Sequence, residues 1–188
     1  MLIQTAAWWE PIKQVDSALP KYSPSLLIAD DWPTVHSSMH YRLFEPADFH
    51  DLYAIEEVCF QPPYRFTRRY MRQLIASPDS AVWIAEVGHT MTGFAILEWA
   101  KQVDGVVAYI ATIEVLPEFR SQGVGAELLR RVEGSANAER AVAIWLHVDI
   151  ENASAIRLYE RLAYSNSGRV EHFYARNRPA AIYVKHLS

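Results

Sequence analysis

The order of apolar and polar positions along the chain predicts seven strands and four helices. Short apolar runs that end at polar or turn residues predict strands, and apolar positions repeated every three or four residues predict helices. The predicted strands cover residues 40–44, 81–87, 92–99, 106–116, 142–148, 167–174 and 181–187, and the predicted helices begin at Pro46, Thr67, Gly123 and Asn152.

Two details of this pattern bear on packing. The first helix ends at the break 61–63, because proline cannot continue a helix. The run 142–148 is almost wholly apolar, which predicts a strand buried on both faces. The inward face of the first helix is expected to carry Leu52, Ile55, Val58 and Cys59.

The element order β-α-α-β-β-β-α-β-α-β-β indicates a mixed α/β fold. Strands that follow one another closely pair antiparallel, whereas strands separated by a helix can pair parallel. We therefore expect a mostly antiparallel, seven-stranded sheet with helices on both faces.

Composition narrows the class of protein. The chain has 188 residues, of which 51% are apolar, enough for a sizeable core. Its formal charge of −4 gives no reason to expect a polyanionic partner such as nucleic acid. Cys59 is the single cysteine, so an intrachain disulfide and a cysteine-based zinc site are excluded, and no metal is expected. With no secretory leader and no membrane-spanning run, we expect a soluble, cytoplasmic protein without a membrane partner.

Residues 1–38 differ from the remainder of the chain. They hold four of the ten prolines and three of the six tryptophans. Dense proline limits regular structure, and large aromatics favour contact with another surface. We predict an extension that packs on the domain formed by residues 39–188 or on a neighbouring subunit, through which the protein could form an oligomer. A partly mobile leader is the alternative.

A glycine-rich turn between a strand and a helix is the sharpest chemical signal. The turn at 120–126 reads Arg-Ser-Gln-Gly-Val-Gly-Ala. The start of a helix offers unpaired amides and the positive end of the helix dipole to an anion, and glycine lets the anion approach the backbone. The Arg120 and Gln122 side chains can add donors. The turn therefore predicts a phosphate site.

Together with the preceding residues Ile113-Glu114-Val115-Leu116-Pro117-Glu118-Phe119, this turn resembles the pyrophosphate motif of the GNAT superfamily of N-acetyltransferases. The resemblance extends over residues 39–188. It implies a sheet splayed open between the fourth and fifth strands, with acetyl-CoA lying in the opening. The implied binding residues are Ile113 and Val115 for the pantetheine arm, and Arg120, Gln122, Gly123, Val124, Gly125 and Ala126 for the pyrophosphate.

A second segment completes the resemblance. Asn152, Ala155 and Tyr159 share one face of the last predicted helix. In such enzymes a phenol at Tyr159 is implied to protonate the departing CoA thiolate, and Asn152 to hydrogen-bond the pantetheine or nearby backbone. Both residues also have plain structural roles, as a core aromatic and a helix cap.

Three residues are candidates for the base that removes a proton from the amine. Leu146-His147-Val148 resembles the equivalent segment of enzymes that acetylate protein N-termini, where a glutamate or histidine acts as base. Tyr109 matches a tyrosine that serves as a second base in one eukaryotic N-terminal acetyltransferase. Many GNAT enzymes have a glutamate at the position equivalent to Glu114, whereas the ribosomal-protein alanine enzymes have a small residue there. The base therefore stays open among His147, Tyr109 and Glu114.

Two aromatic segments should flank the acceptor. They are the break after the first helix, with Phe60 and Tyr64, and the hairpin at Phe173-Tyr174. The resemblance implies that Phe60, Tyr64 and Tyr174 bind the acceptor peptide, although a Phe-Tyr pair replaces the Tyr-Tyr pair of the N-terminal acetyltransferases.

These features predict an acetyl-CoA-dependent N-acetyltransferase that acts on the N-terminus of a protein or peptide by direct transfer in a ternary complex. No acyl-enzyme is expected, because Cys59 is predicted to lie in a helix remote from the turn. A small-amine acetyltransferase and a non-catalytic acyl-CoA-binding module are the alternatives.

Overall fold

The structure is a computed structural model and describes residues 39–187. The prediction for residues 1–38 lies outside them. The described residues form one seven-stranded sheet and four α-helices, in the predicted order. The elements are β1 (Met39–Leu43), α1 (Phe49–Cys59), α2 (Arg68–Ile75), β2 (Ser80–Val87), β3 (Thr90–Gln102), β4 (Gly105–Val115), α3 (Val124–Ala138), β5 (Ala141–Asp149), α4 (Ala153–Arg161), β6 (Ser165–Ala175) and β7 (Arg178–His186).

Local signals define several of these ends. A 3-10 turn, Pro46–Asp48, leads into α1, and Asp48 forms a two-pronged ion pair with Arg42 of β1 at 2.7 and 2.8 Å. The Thr67 hydroxyl accepts the Tyr70 amide and caps α2, as predicted. Helix α3 continues past Gly134 to Ala138, because an isolated glycine weakens a helix without ending it.

The sheet opens between β4 and β5, as predicted. Its strand order is β1-β2-β3-β4-β5-β7-β6, and β4 with β5 is its parallel pair. That pairing runs from Val106 opposite Ala141 to Tyr109 opposite Trp145 and then stops, although β4 continues to Val115 and β5 to Asp149. The second half of β4 therefore borders a gap.

A bulge in β4 determines which side chains face each side of the sheet. Ile96 and Leu97 of β3 pair with Thr112 and Ile110 of β4, so Ala111 is an extra residue in β4. Ala108 and Ile110 pack on the α3 side, and after the bulge Ile113 and Val115 do so as well. Tyr109 and Glu114 consequently share the opposite face, which α1 and α2 cover.

Two cores hold the helices against the sheet, one on each face. Helices α3 and α4 pack on the inward side chains of β4, β5 and β7. This core includes Leu128 of α3, Ile144 of β5 and Tyr159 of α4. Helices α1 and α2 pack on β2 and β3 around Leu52 and Phe94. Helices on both faces are thus confirmed.

Two burial predictions were wrong. Val58, assigned to the inward face of α1, is 55% exposed, and Glu56 takes its place at 1%. The buried residues of α1 are Leu52, Tyr53, Ile55 and Glu56, with Cys59 partly buried. These positions fit one helix face better than a set that includes Val58. Val142, in the strand expected to be buried throughout, is 46% exposed. It is the second residue of β5, and its neighbour Gly105 offers no side chain to cover it.

No helix among residues 39–187 is long and apolar enough to cross a membrane.

The contact between β3 and β4 generates a stability prediction. A Cβ at Gly93 would lie 2.5 Å from the backbone oxygen of Glu114, closer than side chains tolerate. We expect Gly93→Ala to lower the free energy of unfolding by about 2 kcal/mol, measured by urea denaturation. Gly134→Ala is the matched control: it meets no atom within 4 Å and should raise stability by about 0.5–1 kcal/mol. Equal effects of the two substitutions would contradict the close approach at Gly93.

Candidate active site

The edge of β4 directs backbone amides into the gap. The Leu116 amide donates to the Thr92 carbonyl of β3 at 2.9 Å. Successive amides of a strand point to opposite sides, so the amides of Val115 and Ile113 point away from β3, toward the side that β5 has left. An extended chain lying in the gap would find hydrogen-bonding partners there.

The glycine-rich turn adds a second set of free amides at the end of β4. Gly123 precedes α3 with φ 84°, a left-handed conformation that favours glycine. The Glu127 amide makes the first bond within the helix, to the Gly123 carbonyl at 3.0 Å. The amides of Val124, Gly125 and Ala126 therefore precede the first helical hydrogen bond and can bind an anion.

The polar side chains of this turn bind the chain itself. The Arg120 Nε donates to the Val115 carbonyl at 2.8 Å, and the Gln122 amide donates to the Glu118 carbonyl at 2.7 Å. In this arrangement both side chains brace the turn, and the backbone supplies the free donors.

Cys59 lies beside the turn, so the prediction that it is remote was wrong. Its Sγ is 3.5 Å from Arg120 Nη2 and 3.6 Å from the Val115 carbonyl. The reason is that the end of α1 packs on the end of β4, a contact that sequence distance does not reveal. Burial raises the pKa of the Cys59 thiol, which disfavours the nucleophilic thiolate.

The start of α4 is held by its own cap. Asn152 accepts the Ala155 amide at 3.2 Å and the Ser154 hydroxyl at 3.0 Å, which is the structural role considered for it. Further along the same helix, Tyr159 is buried against the rings of Tyr164 and Tyr183. Burial, and secondly the nearby Tyr174 phenol, raise the pKa of Tyr159, so its hydroxyl keeps its proton.

Tyr109 and His147 meet where the two strands part. The Tyr109 hydroxyl and His147 Nδ1 lie 3.2 Å apart. The imidazole stacks on Phe173 with ring centres 4.0 Å apart and meets Trp145 edge-on at 5.1 Å. Burial lowers the pKa of His147 to about 4, so the ring is neutral at neutral pH. Burial also raises the pKa of Tyr109, so the phenol stays protonated.

Glu114 lies apart from this pair. It follows Tyr109 by five residues, about 16 Å along a strand. Its Oε1 accepts the Thr112 hydroxyl at 2.8 Å, and the residue is 3% exposed. Burial first, and then the Glu56 carboxyl, raise the pKa of Glu114 well above its usual range.

Aromatic side chains from two loops meet beside His147. The Tyr174 hydroxyl donates to the His147 carbonyl at 3.4 Å, and its ring meets Tyr64 edge-on at 6.3 Å. The Arg178 guanidinium lies 4.5 Å from the centre of the Tyr64 ring and pairs with Asp149 at the end of β5. Burial raises the pKa of Tyr174 to about 12. The structure thus brings Tyr64 and Tyr174 together.

Phe60 is the third predicted acceptor residue. It is half-buried at the end of α1, where its amide donates to the Glu56 carbonyl at 2.9 Å.

Several neighbours of the site were not singled out from the sequence. Trp145 packs on Tyr109 with ring centres 4.6 Å apart, and Glu98 lies directly opposite Tyr109 in the register of β3 with β4. Only the register reveals these two neighbours. Glu56 carried a local signal, because it is a charged residue on the apolar stripe of α1.

No group of three or more histidine, cysteine, aspartate or glutamate side chains that could hold a metal ion occurs in the described part of the chain. What the site offers is a gap lined with amides, an anion-binding helix start, a neutral imidazole and a protonated phenol. This set can hold an extended, phosphate-bearing molecule and move protons near its end.

Comparison with known proteins agrees with this geometry. The profile of the Acetyltransferase (GNAT) family matches residues 49–164. The chain is 27% identical over 122 residues to an N-alpha-acetyltransferase of Sulfurisphaera tokodaii, covering 60% of this chain and 71% of that protein. It is 27% identical over 134 residues to an N-alpha-acetyltransferase of Saccharolobus solfataricus, covering 66% of this chain and 78% of the relative.

Solved structures share the fold. The ribosomal-protein-S18-alanine N-acetyltransferase from Escherichia coli superposes with a TM-score of 0.70 at 22% identity, covering 80% of this chain and 94% of that one. Arabidopsis thaliana Naa50, in complex with the bisubstrate analogue CoA-Ac-MVNAL, gives 0.70 at 22% identity, covering 80% and 99%. The chain therefore belongs to the GNAT acetyltransferase family and is an N-acetyltransferase.

Proposed function

We propose that the protein transfers the acetyl group of acetyl-CoA to the α-amine of a protein or peptide N-terminus, directly and within a ternary complex. The observation that carries this proposal is the Tyr109–His147 pair at the point where β4 and β5 part. A neutral imidazole beside the gap in which the thioester would lie supports the role of a base there.

The gap and the turn support acetyl-CoA as the donor. The amides of Ile113 and Val115 would pair with the pantetheine arm as a neighbouring strand would, and the Val115 amide would polarise the thioester carbonyl. The amides of residues 124–126 would receive the pyrophosphate. Arg120 and Gln122, which brace the turn, could turn outward to add donors.

His147 is the base that the geometry favours. An α-ammonium, with a pKa of about 8, must lose a proton before it can attack. When Nδ1–H of His147 donates to the Tyr109 oxygen, the Nε2 lone pair is free to take that proton, directly or through water. Glu114 is buried against Glu56, and Tyr109 keeps its own proton, so both fit the role of base less well.

Tyr159 would act at the leaving group. Its protonated phenol could deliver a proton to the CoA thiolate as the amide forms. The side chain reaches the vicinity of Tyr174, on the acceptor side, from a helix on the other face of the sheet. This proximity supports a role for the phenol where donor and acceptor would meet. Asn152, as the cap of α4, would hold that helix in position.

The aromatic loops support a peptide as the acceptor. Tyr64 and Tyr174 form one wall beside His147, with Phe60 on the same loop as Tyr64. Phenolic hydroxyls on apolar rings can hydrogen-bond a peptide backbone while packing on its first side chain. Two relatives named N-alpha-acetyltransferase, and the peptide-like bisubstrate analogue bound to Naa50, favour the same class of acceptor.

The direct test is turnover of acetyl-CoA with a library of peptides of varied N-terminal sequence, beside a panel of small amines. We expect release of CoA with a subset of the peptides, and mass spectrometry should place the acetyl group on the α-amine. Blocking the N-terminus by formylation should abolish the reaction. Turnover with small amines alone would contradict the proposal, and tight acetyl-CoA binding without any transfer would indicate a binding module.

Removal of the Tyr159 hydroxyl tests the proton donor. Tyr159→Phe should lower kcat by about tenfold or more, since general acid catalysis is lost, while the Kd for acetyl-CoA stays unchanged in calorimetry. The control is Tyr164→Phe, which removes a phenol from the same buried cluster but from a residue not assigned to the reaction. Equal losses in the two variants would show that the effect comes from packing.

Substitution of His147 tests the base. His147→Ala should lower kcat/KM for the peptide by about 100-fold, whereas Tyr109→Phe, which only loses the orienting hydroxyl, should lose less. In the unliganded protein the His147 imidazole should titrate near pH 4 by NMR, since burial disfavours its cation. The signal is assigned by its absence in His147→Ala. A midpoint near the ordinary histidine pKa, or full activity of His147→Ala, would remove His147 from this role.

A further inference from the structure

Two carboxyl side chains meet in the core between α1 and β4. Glu56 of α1 is 1% exposed and Glu114 of β4 is 3% exposed. Each has one oxygen in a short hydrogen bond: Glu56 Oε1 accepts the Phe66 amide at 2.6 Å, and Glu114 Oε1 accepts the Thr112 hydroxyl at 2.8 Å. Both carboxyls are thus fixed by local donors.

Their other oxygens have no ordinary donor. Within residues 39–187, Oε2 of Glu56 and Oε2 of Glu114 are buried without a hydrogen-bond partner, and neither carboxyl forms an ion pair. The end of α1 packs on the end of β4, where Cys59, three residues after Glu56, lies 3.6 Å from the carbonyl of Val115, the neighbour of Glu114. After burial, the Glu56 carboxyl is the next cause that raises the pKa of Glu114. Two adjacent carboxylates would repel in a site that water does not reach, whereas one proton between them satisfies both oxygens.

We propose that Glu56 and Glu114 share one proton between their Oε2 atoms, and that this acid–carboxylate pair positions the acceptor loop (residues 60–67) against the acetyl-CoA segment (Ile113–Val115). Neither residue touches the reacting atoms, so both are positioning residues. The roles of the loop and the segment rest on the proposed function.

Each glutamate of the pair belongs to one part of the proposed site: Glu56 contacts the acceptor loop, and Glu114 lies within the acetyl-CoA segment. On the acceptor side, Glu56 holds the Phe66 amide, and Tyr53 of the same helix donates to the Phe66 carbonyl at 2.9 Å. Phe66 closes the loop that carries Phe60 and Tyr64. On the donor side, Glu114 lies between the two residues whose amides face the gap. The shared proton is therefore a polar link between the two halves of the site.

The surroundings favour a single negative charge on the pair. The other titratable groups that act on it are the Cys59 thiol of α1 and, beyond it, the Arg120 guanidinium. Arg120 binds the Val115 carbonyl and the Cys59 sulfur instead of a carboxylate. Burial raises the pKa of Glu114, so the folded protein holds the proton more tightly than the unfolded chain does. Stability from this proton is complete below the ordinary glutamate pKa and is lost as pH rises through the raised pKa.

Glutamine variants test the shared proton without removing the contact. In Glu114→Gln the amide permanently donates to Glu56, and its oxygen still accepts the Thr112 hydroxyl. At neutral pH, the infrared spectrum of wild type should show the C=O stretch of a protonated carboxylic acid, isolated by subtracting the spectrum of each variant. This band should vanish in Glu114→Gln and in Glu56→Gln. It should remain in Glu57→Gln, an exposed neighbour paired with Arg65. Absence of the band in wild type at neutral pH would overturn the proposal.

Thermal unfolding gives a second measure of the same proton. The Tm of Glu114→Gln should exceed that of wild type by about 3 °C or more at pH 8, and the difference should shrink toward pH 5. Glu57→Gln should show no such trend. A difference between Glu114→Gln and wild type that is independent of pH would mean that the pair binds no proton in this range.

Hydrogen exchange tests the positioning role and does not depend on activity. Glu114→Ala should speed amide exchange in both 60–67 and 113–115 by about tenfold, because Glu56 loses its partner, and Glu114→Gln should restore wild-type rates. The KM for a peptide substrate should rise in Glu114→Ala more than kcat falls. If wild type acetylates no peptide, the proposed function fails, while the infrared and exchange results still decide on the pair. Unchanged exchange in the acceptor loop would refute its positioning by these glutamates.

Discussion

The parting of β4 from β5 is the constraint on which the remainder of the structure depends. Beyond Tyr109 and Trp145 the two parallel strands no longer pair, so one side of β4 presents amides without a strand partner. Backbone donors in a protein interior need hydrogen-bond partners. In an open gap, these partners must come from solvent or from a bound, extended molecule. The start of α3 lies at one end of this gap, and the Tyr109–His147 pair lies at its vertex. Loss of strand pairing is thus what creates the binding site.

Burial sets the protonation states at both ends of the gap. At the vertex it disfavours the imidazolium, so His147 is neutral and can accept a proton. Beneath the other end it disfavours a carboxylate, so the Glu56–Glu114 pair retains a proton. The pKa shifts have opposite signs but one cause, since a site without water favours the neutral form of acids and bases alike. A fold with one cleft can therefore hold a neutral base on β5 at one end and a protonated acid on β4 at the other.

The parts of this site that could be predicted from the sequence are those that a short segment encodes. A strand, a glycine turn and a helix follow one another within 113–129, so the candidate anion site can be predicted without knowledge of any tertiary contact. Tyr109 and His147 were also named, but each separately. Their contact depends on the parallel register that sets Tyr109 opposite Trp145, and a shift of one residue would turn either side chain to the other face. The spacing of residues along the chain does not fix that register.

Helix α1 shows why the acid pair was missed. Hydrophobic periodicity assigned Val58 to the buried face, because valine is apolar, and passed over Glu56. At about 100° per residue, however, position 56 lies only about 40° from Leu52 around the helix, whereas position 58 lies about 120° away. Geometry therefore demanded that a glutamate be buried, and a buried carboxyl requires a donor or a proton. The donor and the second carboxyl come from Phe66 and Glu114, which no local pattern connects to α1. A charged residue on an apolar stripe is itself a signal of a distant polar partner, and averaging hydrophobicity over the helix removes that signal.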